Sequence, residues 1–177
     1  LGDTTVIGFL LRRLSKSAEI DDIILATSVE KEDDPLAEHV EGLGFNVYRG
    51  SESDVLGRFY NAVNQCEATK IIRITGDCPL IDPALVDKLA IDFCNGGADY
   101  VSNVMPPTYP DGMDIEIFTN TALNDAYFKA KSDHEREHVT PYIRNKNTFS
   151  RRNIFSQDDY SSMRLTLDNE EDYKIIT

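Results

Sequence analysis

Short apolar runs rich in β-branched residues alternate along this chain with segments of helical period, and few folds accommodate that order. Strand, helix, strand in succession is the crossover unit of α/β proteins, so the pattern predicts a mainly parallel sheet with flanking helices. Val6, Ile7, Phe9, Leu10, Leu11 and Leu14 recur at helical spacing and lead into the buried-type strand Ile23-Ile24-Leu25-Ala26-Thr27. Pro35 opens a helix that ends at Gly44, and Asn46-Val47-Tyr48-Arg49 reads as the next strand. Asp54 is placed as the N-cap of a helix carrying Val55, Leu56, Phe59, Tyr60 and Val63, before the central strand Lys70-Ile71-Ile72-Arg73-Ile74. Asp82-Pro83 caps and begins a further helix, Gly96-Gly97 ends it, and Asp99-Tyr100-Val101-Ser102-Asn103 follows as a strand.

From Met105 to Arg144 the pattern weakens, and an insertion over the sheet is expected there. It holds a Pro-rich loop, a strand at Ile115-Glu116-Ile117-Phe118, a helix from about Thr121 to Ala130, and a polar stretch rich in His, Glu and Arg. Ser150 to Ile154 can pair as a strand, Arg164 to Asp168 reads as a better one, and the last helix begins near Glu170. No repeat or long linker divides the chain, so one domain over residues 1–177 is expected.

Charge narrows the partners. With 18 Lys+Arg against 31 Asp+Glu and a net charge of -13, the surface field repels a polyanion, which argues against nucleic acid but leaves room for a local phosphate site. No apolar stretch reaches the roughly 20 residues of a membrane helix and no secretory leader pattern is present, so a soluble, cytoplasmic protein with no membrane partner is expected. Cys66, Cys78 and Cys94 form neither a CxxC pair nor a zinc spacing, and reduced, packed thiols are expected. The chain opens at Leu1 with a Gly2-Asp3 turn and stops at Thr177 inside an expected helix, which is the pattern of a fragment.

The strongest chemical signal is Thr75-Gly76-Asp77-Cys78-Pro79, a carboxylate at the carboxyl end of a buried strand, where open α/β sheets bind ligands. Asp77 either serves that edge or caps the turn it begins. Asp168 occupies the same kind of position at the end of its own strand, and two such carboxylates suit Mg²⁺, which takes few protein oxygens alongside substrate phosphates. Glu170, Glu171 and Asp172 are read as complements to the last helix's N-terminal dipole. Arg49, Ser51, Asp54 and Arg58 make a strand, turn and helix start able to meet a nucleotide phosphate, although an Asp54 to Arg58 ion pair one helical turn apart accounts for them equally. Asp111, Asp114 and Glu116 lie on and after a turn where carboxylates can hold sugar hydroxyls. Arg136, Glu137 and His138 read as either a charged site or a solvated helix end.

Taken together, Asp22 to Ser28, RGSESDVLGRFY from Arg49, RITGDCPLIDP from Arg73, YPDGMDIEIF from Tyr109, EREHVTPYI from Glu135 and RLTLDNEEDY from Arg164 resemble the SpsF-like branch of the cytidylyltransferases. That family is related to acylneuraminate and 3-deoxy-manno-octulosonate cytidylyltransferases. The resemblance implies a Rossmann-like nucleotide-diphospho-sugar transferase (GT-A-like) fold and transfer of CMP from CTP to a sugar, with Mg²⁺ and release of pyrophosphate. It implies Asp77 and Asp168 as metal aspartates, Arg49, Ser51, Asp54 and Arg58 on the nucleotide side, and Asp111, Asp114, Glu116, Arg136, Glu137 and His138 on the sugar side. A homodimer is the expected assembly. The family's first strand and phosphate-wrapping loop do not precede Leu1, so the chain is expected to be truncated at its amino end. A non-catalytic nucleotide- or protein-binding remnant and a glycosyltransferase on the same fold are the alternative readings.

Overall fold

The computed structural model describes residues 4–176; the expected Gly2-Asp3 turn and the end of the chain at Thr177 lie outside the described residues. The chain forms two compact units, one of Leu1–Asp21, Ile72–Ile117 and Arg152–Thr177, the other of Asp22–Ile71 and Phe118–Arg151. The strands fall into two sheets. β1 (Ile24–Ser28) and β2 (Asn46–Gly50) pair in parallel with Ile24 opposite Asn46. β3 (Lys70–Arg73), β4 (Tyr100–Ser102), β5 (Glu116–Thr119) and β6 (Arg151–Asn153) form a four-stranded sheet in the order β3-β5-β4-β6. Among the described residues no helix is long and apolar enough to cross a membrane.

In the first unit, α1 (Val6–Leu14) starts where the Thr5 hydroxyl accepts from Gly8 N at 3.1 Å, and it buries Leu10, Leu11 and Leu14. α4 (Pro83–Gly96) starts where Asp82 accepts from Ala84 N at 3.0 Å, and it ends at Gly97 with φ 64°, a left-handed cap that glycine adopts without penalty. α4 packs on β4, and Val86, Leu89, Val101, Ile115 and Ile117 are buried. Arg13 of α1 donates to the carbonyls of Ile81 (2.7 Å) and Leu80 (3.3 Å), pinning the loop that follows Asp77. α8 (Glu170–Ile176) closes the described chain with three acids in its first turn.

In the second unit, a 3-10 turn at Lys31–Asp33 runs into α2 (Asp34–Gly42), which packs on β1 and β2. α3 (Val55–Cys66) packs on β1, β2, α5 (Asn120–Lys129) and α6 (Asp133–His138), and α7 (Pro141–Asn145) packs on α5 and α6. Val40, Leu56, Leu123, Ala126 and Ile143 are buried there. α6 and α7 occupy the polar stretch, and α6 ends at His138 as the solvated-helix-end reading of Arg136 to His138 expects. The signal for α6 is a capping box: Ser132 Oγ accepts from Glu135 N at 3.3 Å, and the Glu135 carboxylate accepts from Ser132 N at 3.2 Å.

Residues 164–168 are the clear departure, because the expected strand is absent. Arg164 makes one isolated parallel bridge with Asp111, and then Leu167 N donates to Asp77 O at 2.8 Å. A segment that bonds in turn to two different loops builds no ladder. The thiols divide as well: Cys78 is buried, whereas Cys66 and Cys94 are exposed rather than packed.

Candidate functional site

β3 ends at Arg73, and the chain then turns, with Cys78 N donating to Thr75 O at 3.3 Å. Asp77 therefore sits just past a strand end, and its Oδ1 accepts a 3.6 Å contact from the Cys78 thiol. The Leu167 to Asp77 backbone bond carries Asp168 to the same edge, so the two strand-end carboxylates of the sequence belong to adjoining segments. Asp111 arrives there too: its N–H donates to Met163 O at 3.0 Å and its carbonyl accepts from Leu165 N at 2.7 Å. Gly112 permits this approach. Its φ is +96°, and a Cβ would lie 2.6 Å from the Leu165 carbonyl carbon.

Asp114 is placed by Asn103, a residue that none of the sequence motifs singles out. Asn103 is buried just past β4; its Nδ2 donates to Met113 O at 2.7 Å and its Oδ1 accepts from Ile115 N at 2.8 Å. The side chain thus grips the backbone on both sides of Asp114. Burial, with the like charges of Asp111, Glu116 and Asp77 around it, pushes the Asp114 carboxyl up to about 6. Burial and the neighbouring Asp77 and Asp114 push the Cys78 thiol up to about 12, which makes it packing rather than a nucleophile.

Glu116 is engaged within the fold. It is 4% exposed, takes Arg73 Nη1 at 2.6 Å and accepts from Tyr100 Oη at 2.5 Å. Arg164 is the second cation of this edge. It pairs with Asp111 at 2.9 Å, with Asp172 at 3.4 Å, and with Asp168. Asp172 also accepts from the N–H groups of Asp168 (2.9 Å) and Asn169 (3.3 Å), which hold its carboxyl below the usual range. It does more than complement the helix dipole, since it orders the backbone that presents Asp168.

Among the described residues no group of three or more His, Cys, Asp or Glu is arranged to hold a metal ion. The donor set still fits a hard cation of the Mg²⁺ type, which takes one or two carboxylates and fills its shell with water and phosphate oxygens. Asp77 and Asp168 are the two carboxylates of this edge that would serve as such donors.

The second unit brings together the other expected residues. Asp54 caps α3 by accepting from Gly57 N at 2.9 Å and pairs with Arg136 at 2.5 Å, not with Arg58 as its helical spacing suggested. Arg136 also donates to Tyr127 O at 2.8 Å and lies over the Tyr127 ring, 5.0 Å from its centroid. Arg49 is held by Asp34 at 2.6 Å and by the carbonyls of Ser28 and Glu30. Ser51 accepts from Asp54 N at 3.2 Å. Arg58 lies across Gly50, its half-buried guanidinium is lowered by desolvation, and its buried Nε has no hydrogen-bond partner. Glu137 and His138 are exposed at the end of α6, where His138 meets the His134 ring edge to face at 4.6 Å. The next residue, Val139, is fully buried at φ 69°, ψ -58°, with Thr140 N donating to His138 O at 2.8 Å. That is the rare, strained form of the γ-turn in a β-branched residue, the kind of outlier that collects at working sites.

Residues 1–177 match the family model described as cytidylyltransferase. An uncharacterised protein of Methanocaldococcus jannaschii is 43% identical over 183 residues, covering 99% of this chain and 72% of its own length. The spore coat polysaccharide biosynthesis protein SpsF of Bacillus subtilis is 34% identical over 184 residues, covering 99% of this chain and 75% of its own. Among solved structures, a cytidylyltransferase from Leptospira borgpetersenii serovar Hardjo-bovis superposes with a TM-score of 0.93 at 36% identity, over 98% of this chain and 74% of that one. The nucleotide-diphospho-sugar transferase-like α/β architecture, the ordered motifs and the likeness along the whole sequence agree, and the chain belongs to the cytidylyltransferases, a family of CTP-dependent nucleotidyltransferases.

Proposed function

We propose that this protein transfers CMP from CTP to a hydroxyl of a sugar acid or activated sugar, releasing pyrophosphate, in the synthesis of a surface polysaccharide or other glycan. The observation that carries the reading is the Leu167 to Asp77 backbone bond of 2.8 Å, which joins the segment leading to Asp168 to the loop that carries Asp77. The name of the Bacillus subtilis relative supports a polysaccharide pathway.

In the reaction, the sugar oxygen forms a bond to the α-phosphorus of CTP, the bond from that phosphorus to the pyrophosphate oxygen breaks, and the hydroxyl proton is lost. Charge moves among phosphate oxygens, so the protein contributes positioning and electrostatics more than a covalent nucleophile. Asp77 and Asp168 would hold Mg²⁺, which supplies charge neutralisation at the phosphates when bound. Asp111 and Asp114 would face the sugar. With its carboxyl near 6, Asp114 is the acid of this group best matched to taking a proton near neutral pH. Glu116 supports the sugar side through its Arg73 and Tyr100 contacts. Within the second unit the half-buried Arg58 guanidinium lies across Gly50, at the turn assigned to the nucleotide side. Arg49, Ser51 and Asp54 share that nucleotide-side turn, and Arg136, Glu137 and His138 are assigned to the sugar side.

The decisive assay measures pyrophosphate release with CTP, against ATP, GTP and UTP, with and without Mg²⁺ and over a panel of sugar acids. Release confined to CTP and Mg²⁺ supports the reading; intact nucleotide-sugar consumption without pyrophosphate overturns it. We also propose one cytoplasmic nucleotidyltransferase domain that works as a homodimer, which sedimentation at micromolar concentration tests.

A further inference from the structure

We infer that Arg164 and the divalent cation compete for the Asp168 carboxylate, so that Arg164 sets the cation affinity of the site. This rests on the cation site proposed above. Arg164 touches three carboxylates, those of Asp111, Asp168 and Asp172, from three positions in the chain.

Its guanidinium is not needed to hold those segments together. Asp111 is bonded to Met163 and Leu165 through the backbone, Leu167 to Asp77 likewise, and Asp172 is secured by the N–H groups of Asp168 and Asn169. What the guanidinium supplies is charge. Asp172 has backbone donors to offset its own, which leaves Asp111 and Asp168 as the two acids that depend most on Arg164.

The Arg164 and Asp168 side chains are 46% and 52% exposed, so either can turn without disturbing the core. An exposed ion pair is weak, whereas a hard cation binds carboxylate oxygen directly. Were Asp77 and Asp168 to hold a cation, Arg164 would lose its pairing with Asp168 and keep those with Asp111 and Asp172.

The test is a titration with Mn²⁺ alone, read by electron paramagnetic resonance, on the full chain and on R164M, R164K, D168N, D77N and the R164M/D168N double variant. R164M is expected to bind Mn²⁺ roughly three- to tenfold more tightly, as loss of a weak competing ion pair would give. R164K should fall between, because an ammonium cannot fork across two carboxylates. The gain should vanish on the D168N background. Equal or weaker binding by R164M overturns the inference, making Arg164 a clamp; a gain that persists with D168N overturns it as a general charge effect. If R164M does not fold, the sign of the R164K change decides by the same rule. Failure of the wild-type chain to bind Mn²⁺, or binding indifferent to D77N, overturns the cation site itself. Binding that needs Asp77 but ignores Arg164 overturns this inference alone.

Discussion

The N–H of Leu167 donates to the carbonyl of Asp77 at 2.8 Å, joining residues ninety positions apart in the chain at one sheet edge. Asp168 follows directly, so the bond joins the segment that carries the second carboxylate to the loop that carries the first. Asp77→Asn and Asp168→Asn are each expected to lower pyrophosphate release from CTP by about a hundredfold or more, since each removes a charge acting on the phosphates. Steady-state kinetics with Mg²⁺ checks this, with a melting curve to show that the fold is retained.

Asp114 makes stability depend on pH. Its carboxyl is raised to about 6 in the folded protein, so between about 4 and 6 the native state holds a proton that the unfolded chain has lost. Stability from this group is therefore highest below about 4, falls as pH rises through the window, and is lowest above 6. Asp114→Asn should flatten that slope and stabilise the protein above pH 6 by about 1 kcal/mol, a figure reduced for solvent screening. Urea unfolding at pH 4, 5, 6 and 7.5 measures it.

Glu116 anchors a buried pair whose loss leaves Arg73 stranded. Glu116→Gln should cost about 3 kcal/mol, the scale of breaking one side of a buried ion pair. Tyr100→Phe should cost about 1 to 2 kcal/mol by removing the 2.5 Å hydroxyl bond. Denaturant titration of both and of the double variant would show coupling; additive losses would mean that the three groups act independently.

Gly112 admits no side chain. With φ at +96° and the position of a Cβ only 2.7 Å from Thr166 N, Gly112→Ala forces the Asp111 turn away from the segment leading to Asp168. A loss of about 2 to 4 kcal/mol is expected from the strain and the broken bridge. Gly97→Ala, also at positive φ but with nothing within 4 Å, separates backbone strain from steric clash and should cost about 1 kcal/mol.

The three thiols should react in two classes. Cys66 and Cys94 are exposed and should modify readily with a disulfide reagent at pH 8, whereas Cys78 is buried and its thiol raised to about 12, so it should react only on unfolding. Counting the released chromophore before and after adding denaturant gives the result, and three fast thiols in the native protein would contradict the packing around Cys78.

Much of this molecule is legible locally. The apolar period of α1, the caps at Asp54 and Asp82, and the glycines that follow α2 and α4 are written in neighbouring residues, because helix termini are satisfied by groups only a few positions away. The capping box at Ser132 and Glu135 is equally local. Residues 164–168 mislead because their β-branched and apolar content suits a strand, while their backbone partners, Asp111 and Asp77, lie in separate loops.

By itself the sequence determined the alternating α/β order, the position of Asp77 just past a buried strand, and six motif blocks that mark a cytidylyltransferase. Spacing along a chain records which residues share a helix turn or a strand face. It does not record partners brought together by folding. That Arg164 lies among Asp111, Asp168 and Asp172, that Asn103 holds both sides of Asp114, and that Asp54 chooses Arg136 over Arg58 were decided only by tertiary structure. Charge pairing and desolvation depend on distance in space, and those distances exist only once the chain has closed on itself.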